Sequence, residues 1–424
     1  MNSPTIAVLT IGDELLNGEL ADTNTQRIAR QLGDVGLSLR EVATVPDDED
    51  AIAAALLRLT AGYDALIVTG GLGPTADDLT ARAAANAFER PLTLNDDALR
   101  RVRDFFVRRE RPMHPRNEKQ ALLPRKSEVI PNPTGTAPGF WLQHNGCRCF
   151  FLPGVPSEMT VMLTASVLPV IEDAVGLPLL LKRLHIFGLP EPEVEERLDA
   201  LSLPASVRVA FGVEYPLVTI KLKADGAQAD ALVAAAATLR VAFGEYLVAV
   251  DDETLPGVVG KALIAAEKTL ALAESCTGGL IAKLLTDLPG ASAFLERGAV
   301  TYANAAKHHW LGVSQRILEG EGAVSEACAR DMAHGIRQQA RTDLGLAVTG
   351  IAGPDGGTDG KPVGTVFIAL ATAEGETVRR YLFHGDRAQV RLMTAMMALE
   401  WLRRYLSLSA TIIGAAQTDR IDQG

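Results

Sequence analysis

Short apolar runs alternate with amphipathic stretches over the first 170 residues. Residues 5–11, 39–45 and 65–69 have the length and apolar content of buried strands. Between them, 24–32 and 49–59 repeat their apolar positions at helical spacing. This βαβαβ order predicts a parallel sheet with helices on both faces. A Gly- and Pro-rich stretch from Asn132 to Gly139 then precedes one more strand at 149–152, and Pro153-Gly-Val-Pro156 opens a helix near Ser157.

From about residue 177 to 252 the pattern changes. A strand over 179–187 and a Glu-rich helix over 191–201 lead to alternating strands at 207–213 and 217–222, an Ala-rich helix and a strand at 246–250. That is a small α+β module. Asp251-Asp252-Glu253 is the expected linker to a second large unit, with strands at 270–274, 298–302, 344–349 and 365–371. Helices are predicted there at 255–267, 278–288, 304–311, 326–341 and 387–405. The fold class is therefore α/β: two parallel-sheet domains, 1–170 and 254–408, flanking the module at 177–252.

Composition then removes several functions. With 47% hydrophobic and 22% charged residues in 424, the chain has the make-up of packed cores and not of a disordered tail. Its net charge of -11 argues against nucleic acid and anionic membranes as partners. No apolar run approaches the ~18 residues of a membrane span. Four cysteines in so long a chain make no disulfide scaffold, and no Cys/His set has zinc spacing. The opening residues read as a strand and not as a leader, so a cytoplasmic protein is expected, with a homodimer as the default assembly.

Candidate chemistry gathers at the ends of the predicted strands, where open α/β sheets bind ligands. Glu274-Ser-Cys-Thr-Gly-Gly279 is a strand-to-helix turn. Its Ser275 and Thr277 suit helix capping, but two glycines at a helix start each cost up to ~1 kcal/mol, which suggests close approach of another group. A hydroxyl there would sit beside amides able to hold an oxyanion. Lys307, one turn into the helix after Tyr302, could act as a base beside it if burial lowered its pKa. Thr349-Gly350 opens a glycine-rich loop to Gly357 of the kind that cradles phosphate. Arg387, with Arg391 one turn on, could clamp the same group.

Spread over residues 274–387, ESCTGG, ERGAVTYANAAK, GAVSE, TGIAGPDGG, KPVGTV and GDR resemble the nicotinamide mononucleotide deamidase domain of the CinA (competence/damage-inducible protein A) family. The resemblance implies Ser275 as nucleophile and Lys307 as its proton acceptor. Tyr302, Thr277, Asn304, Thr349 and Gly350 would contact the substrate, and Arg387 its phosphate. This step needs no cofactor. Ala303 and Ala305 depart from the commoner YSNEAK form of the second motif.

The first unit carries its own set. Glu14 follows the first strand, and TGGLGPTADD (69–78) follows the third. Carboxylates beside a glycine loop suggest a divalent metal holding a pyrophosphate, with helix capping by Asp22, Asp77 and Asp78 as the lesser alternative. These stretches, with Asn132–Gly139 and Leu152–Glu158, resemble the molybdopterin-binding (MoaB/MogA-like) domain at the N-terminus of CinA. The resemblance implies a metal-dependent (Mg²⁺ or similar) ADP-ribose pyrophosphatase, with Asp78 and Glu158 as catalytic candidates and Asp77, Asp78 and Glu14 as metal candidates. Gly70, Gly71, Gly73 and Thr136 would contact substrate. The middle module is similar to the KH-type domain of the family but lacks the Gly-x-x-Gly clamp, so it is read as a spacer. The expected partners are small nucleotides. The rival readings are a molybdopterin-cofactor protein and a non-enzymatic competence or DNA-damage adaptor.

Overall fold

The computed structural model describes residues 4–172 and 179–421. The chain forms two compact units, Met1–Leu181 with Lys223–Ala231, and Lys182–Leu222 with Leu232–Gly424. The expected boundary at residue 177 lies outside the described residues.

Eight strands belong to the first unit: β1 (Ile6–Ile11), β2 (Leu39–Val45), β3 (Ala65–Thr69), β4 (Leu92–Leu94), β5 (Leu122–Pro124), β6 (Glu128–Ile130), β7 (Gly139–His144) and β8 (Cys147–Leu152). Six form one sheet in the order β2-β1-β3-β8-β7-β6, parallel through β8 and antiparallel beyond it. All six residues of β1 are buried, as a strand covered on both faces requires. Ile6 and Val8 pack with Ile28 and Leu32 of helix Thr23–Asp34, while Ala7, Leu9 and Ile11 pack with Ile52, Leu56 and Leu59 of helix Glu49–Gly62. Asp22 and Asp48 cap these helices by accepting the amides of Thr25 and Ala51. The sheet is thus mixed, because β7 and β8 form a hairpin. Its turn residues Asn145 (φ 49°) and Gly146 (φ 85°) both take left-handed backbone, as a tight two-residue hairpin turn demands.

In the second unit, β9 (Leu179–Ile186), β10 (Arg208–Glu214), β11 (Leu217–Asp225) and β12 (Leu247–Val250) make a four-stranded sheet ordered β10-β11-β9-β12. Phe187 and Val248 of this module join the core of the C-terminal sheet. That sheet contains β13 (Leu270–Glu274), β14 (Leu295–Val300), β15 (Leu344–Gly350), β16 (Thr365–Ala371) and β17 (Glu376–Leu382), ordered β14-β13-β15-β16-β17. The first three are parallel and the last two antiparallel. Leu270 and Leu272 face helices Leu255–Ala265 and Arg387–Ile421, whereas Ala271 and Ala273 face helix Glu326–Ala340.

Three expectations change. The strand expected at 298–302 ends at Val300, which leaves Tyr302 in the loop. The edge strand β17 is mostly exposed and polar, so no hydrophobic run announces it. The helix after the Ser275 turn begins at Leu280; Gly278 (φ 60°) and Gly279 (φ 92°) precede it in left-handed backbone, which explains both glycines sterically.

Helix Glu326–Ala340 holds a glycine in its middle. A Cβ on Gly335 would lie 1.9 Å from the Leu311 carbonyl oxygen, at the end of the helix that carries Lys307. Ala is favoured over Gly by about 1 kcal/mol inside a helix, but overpacking against fixed backbone costs about 1–3 kcal/mol. Gly335→Ala is therefore expected to lower stability, read as a smaller denaturation midpoint at unchanged m-value. An increase would refute the close approach.

Candidate active site

Ser275 is the first residue after β13, and its amide continues the ladder by donating to the Val348 carbonyl at 3.0 Å. Lys307 lies one turn into helix Asn304–Leu311, in parallel register beyond the neighbouring β14. Its side chain turns inward and is 1% exposed. Lys307 Nζ is 3.0 Å from Ser275 Oγ, 2.7 Å from the Thr301 carbonyl and 3.1 Å from the Tyr302 carbonyl. Three acceptors replace the amine's hydration, so it can be buried without losing its hydrogen bonds. Burial lowers its pKa below the usual lysine value of 10.5. In the neutral form, two N–H bonds go to the carbonyls and the remaining lone pair faces the serine hydroxyl.

The nucleophile turn is held from two sides. Glu274, 1% exposed, accepts the amides of Gly279, Ile281 and Ala282. Those are the helix-start amides expected to serve an oxyanion, and they are already taken. Arg391 donates from Nε and Nη2 to the Thr277 carbonyl at 3.2 and 2.7 Å. It braces the turn and does not join a phosphate clamp. Thr277 itself is fully buried, and its hydroxyl has no partner among the described residues.

At the mouth, Arg387 donates to the Gly353 carbonyl at 2.7 Å and to the Tyr302 hydroxyl at 2.9 Å, tying the glycine-rich loop to the loop before Lys307. Both side chains are exposed, and the five guanidinium donors are not all consumed. Asn304 is exposed at the start of its helix. Gly350 ends β15, where a Cβ would meet Val366 at 2.7 Å. Thr349 corrects the expectation of a substrate contact: it is buried, and its hydroxyl donates to the Ala323 carbonyl at 2.7 Å, anchoring the GAVSE segment.

The first unit has a separate cleft of about 420 Å³ at the carboxyl ends of β1, β3 and β8. Gly70, Gly71, Gly73, Glu14, Asp77, Asp78, Thr136 and Glu158 all line it, and so do Asp47 and Gln120, which sequence reading missed. Gly70 has no room for a side chain, since a Cβ would stand 2.2 Å from the Ile11 carbonyl oxygen. Asp78 spends both carboxylate oxygens inside the loop, on the amides of Gly73 and Thr75 and the Thr75 hydroxyl. Glu158 accepts from Asn132 at 2.7 Å, and Thr136 accepts from Gln120 at 3.1 Å. Burial pushes the Asp47 carboxyl up, and the charges of Asp13, Glu14 and Asp77 add to the rise. Although these acids share the cleft, no group of three or more His, Cys, Asp or Glu among the described residues is arranged to hold a metal ion. The expected ligand set of Asp77, Asp78 and Glu14 is therefore not assembled, because Asp78 serves as the cap of its own loop.

Known proteins share both units. The family described as "CinA C-terminal domain" matches residues 252–406, and that described as "Probable molybdopterin binding domain" matches 7–173. A CinA-like protein of Syntrophotalea carbinolica is 57% identical over 404 residues, covering 95% of this chain and 98% of that one. One from Geobacter metallireducens is 52% identical over 408 residues, covering 94% and 98%. A solved CinA superfamily protein of Klebsiella pneumoniae is 38% identical and covers 36% of this chain and 96% of its own, with a TM-score of 0.35. With relatives this similar along almost its whole length, the chain belongs to the CinA family.

Proposed function

We propose that the C-terminal half of this chain hydrolyses the carboxamide of nicotinamide mononucleotide to nicotinic acid mononucleotide and ammonia. The observation that supports this reading is the buried Lys307 amine 3.0 Å from the Ser275 hydroxyl. Neutral Lys307 takes the Ser275 proton as Oγ attacks the carboxamide carbon. The N–H groups of Cys276 and Thr277, which face the Cys276 sulfur and donate to no oxygen among the described residues, are assigned to the oxyanion. The tetrahedral adduct expels ammonia with the proton from Lys307, leaving an acyl-serine. Water, deprotonated by the same amine, then cleaves the ester and restores the hydroxyl. Arg387 and Tyr302 at the mouth are the candidates for the nucleotide phosphate.

Cys276 is the chemical rival for nucleophile. Burial pushes its thiol up to about 12, and that of Cys328 up to about 11, so neither supplies thiolate near neutral pH.

For the N-terminal cleft we infer a phosphate-bearing ligand, supported by the close-packed glycine loop at the strand ends, with ADP-ribose hydrolysis as the activity and pterin binding as the rival. Since the carboxylates form no ready ligand set, any cation is expected to bind together with the diphosphate and not ahead of it.

Ser275→Ala and Lys307→Ala should each cut ammonia release from nicotinamide mononucleotide by on the order of 10³-fold or more; retained turnover in either refutes the assignment. In the wild type, kcat/KM should rise with pH as Lys307 loses its proton. That limb should lie below the ordinary lysine range and should be missing from the residual activity of Lys307→Ala. Iodoacetamide at pH 8 should leave all four buried cysteines unmodified and the activity intact; inactivation tracking Cys276 labelling would favour a thiol mechanism. Offered ADP-ribose, the protein should form AMP only when Mg²⁺ is supplied, and pterin binding without AMP would assign the cleft to the rival.

A further inference from the structure

Glu274 immediately precedes the proposed nucleophile, yet it is 1% exposed, and no lysine or arginine among the described residues forms an ion pair with it. Its carboxylate is satisfied by main chain alone: Oε2 accepts from Gly279 at 3.0 Å and Ile281 at 3.1 Å, and Oε1 accepts from Ala282 at 2.8 Å. An ordinary helix cap takes one or two amides from a short side chain on the residue before the helix. Here the carboxylate reaches five to eight residues ahead, which works only because Gly278 and Gly279 fold the chain back through left-handed backbone.

The same residue touches the other arm of the site. The Glu274 carbonyl accepts the Thr301 amide at 2.8 Å, and the Thr301 carbonyl accepts Lys307 Nζ at 2.7 Å. One residue therefore meets the serine turn through its side chain and the lysine's holder through its main chain. Arg391 braces the turn independently at the Thr277 carbonyl.

We propose that Glu274 is a positioning residue for hydrolysis: its carboxylate closes the Ser275–Ala282 turn and holds Ser275 Oγ in register with Lys307 Nζ. The proposal rests on Ser275 being the nucleophile, but not on the identity of the amide substrate. Glu274→Gln keeps the shape of the side chain and one acceptor oxygen, but turns an NH₂ group toward the amides. With Arg391 and the β13–β15 ladder intact, the chain is expected to fold while the turn loosens. A misplacement near 1 Å is enough to cost about 10²-fold in rate.

The test uses the full chain in wild-type, Glu274→Gln and Ser275→Ala forms, with two readouts: turnover of nicotinamide mononucleotide, and the rate at which a fluorophosphonate labels Ser275. Glu274→Gln should lower kcat by on the order of 10²-fold with KM within about threefold, and should slow labelling by a similar factor. The acid limb of the pH profile should stay in place, because the Thr301 and Tyr302 carbonyls that hold Lys307 are unchanged. A merely structural role would lower the unfolding temperature and the fraction of labelled protein but leave the labelling rate of folded molecules unchanged. If the Gln variant does not fold, Glu274→Asp, which retains the charge but falls short of Ala282, should show the same kcat and labelling loss. Values within threefold of wild type for both quantities in the folded variant overturn the proposal. Slow labelling in the variant, with no turnover of the mononucleotide even by wild type, would sink the deamidase reading and leave the positioning role standing.

Discussion

An amine taken out of water and given two main-chain carbonyls in exchange is the constraint on which the C-terminal half depends. A lysine head group pays heavily for burial unless every proton finds an acceptor. Lys307 meets that condition at the Thr301 and Tyr302 carbonyls, and what remains of its coordination points at Ser275. The surrounding fold can be understood as the means of bringing these groups to one point. Parallel pairing of β13 with β14 sets the serine turn beside the loop that supplies the carbonyls, and β15 fixes the serine amide.

The N-terminal cleft follows the same architectural rule with different chemistry. It too opens where parallel strands end, and its loop glycines leave no room for side chains. Its acids, however, are partly turned inward to stabilise the loop, as Asp78 shows. A carboxylate that caps its own turn is a different object from one waiting for a cation, although the two are spelled identically in sequence.

That distinction marks how far the sequence could be read. Hydrophobic period located β1, β3, β13 and β16 within a residue, because strands buried on both faces leave apolar runs, and β2, which is only half-buried, was found by its place in the βαβ order. β17 escaped because an exposed edge strand leaves none, and the β7–β8 hairpin was visible in Asn145-Gly146 but passed over. In the C-terminal site, the motif residues Ser275 and Lys307 were legible and do meet. Thr349 and Arg391 had the right chemistry for ligands, but their partners arrive from 26 and 114 residues away, which no local pattern encodes. Glu274 stood in the quoted motif without a role, since its reach depends on the handedness of two following glycines. Asp47 and Gln120 carried no local signal at all; only the fold brings them to the cleft.

The last helix also grips the middle module. Glu400, 2% exposed, holds Arg403 and Arg404, and these reach the Glu245 carbonyl and carboxylate. Phe187 and Val248 meanwhile fill the apolar side of the same helix layer. A fragment cut at the linker near residue 252 would therefore bare a greasy seat and take the Glu245 acceptors away from Arg403 and Arg404. For this chain the small module covers the hydrophobic flank of the C-terminal half, so severing it would invite self-association.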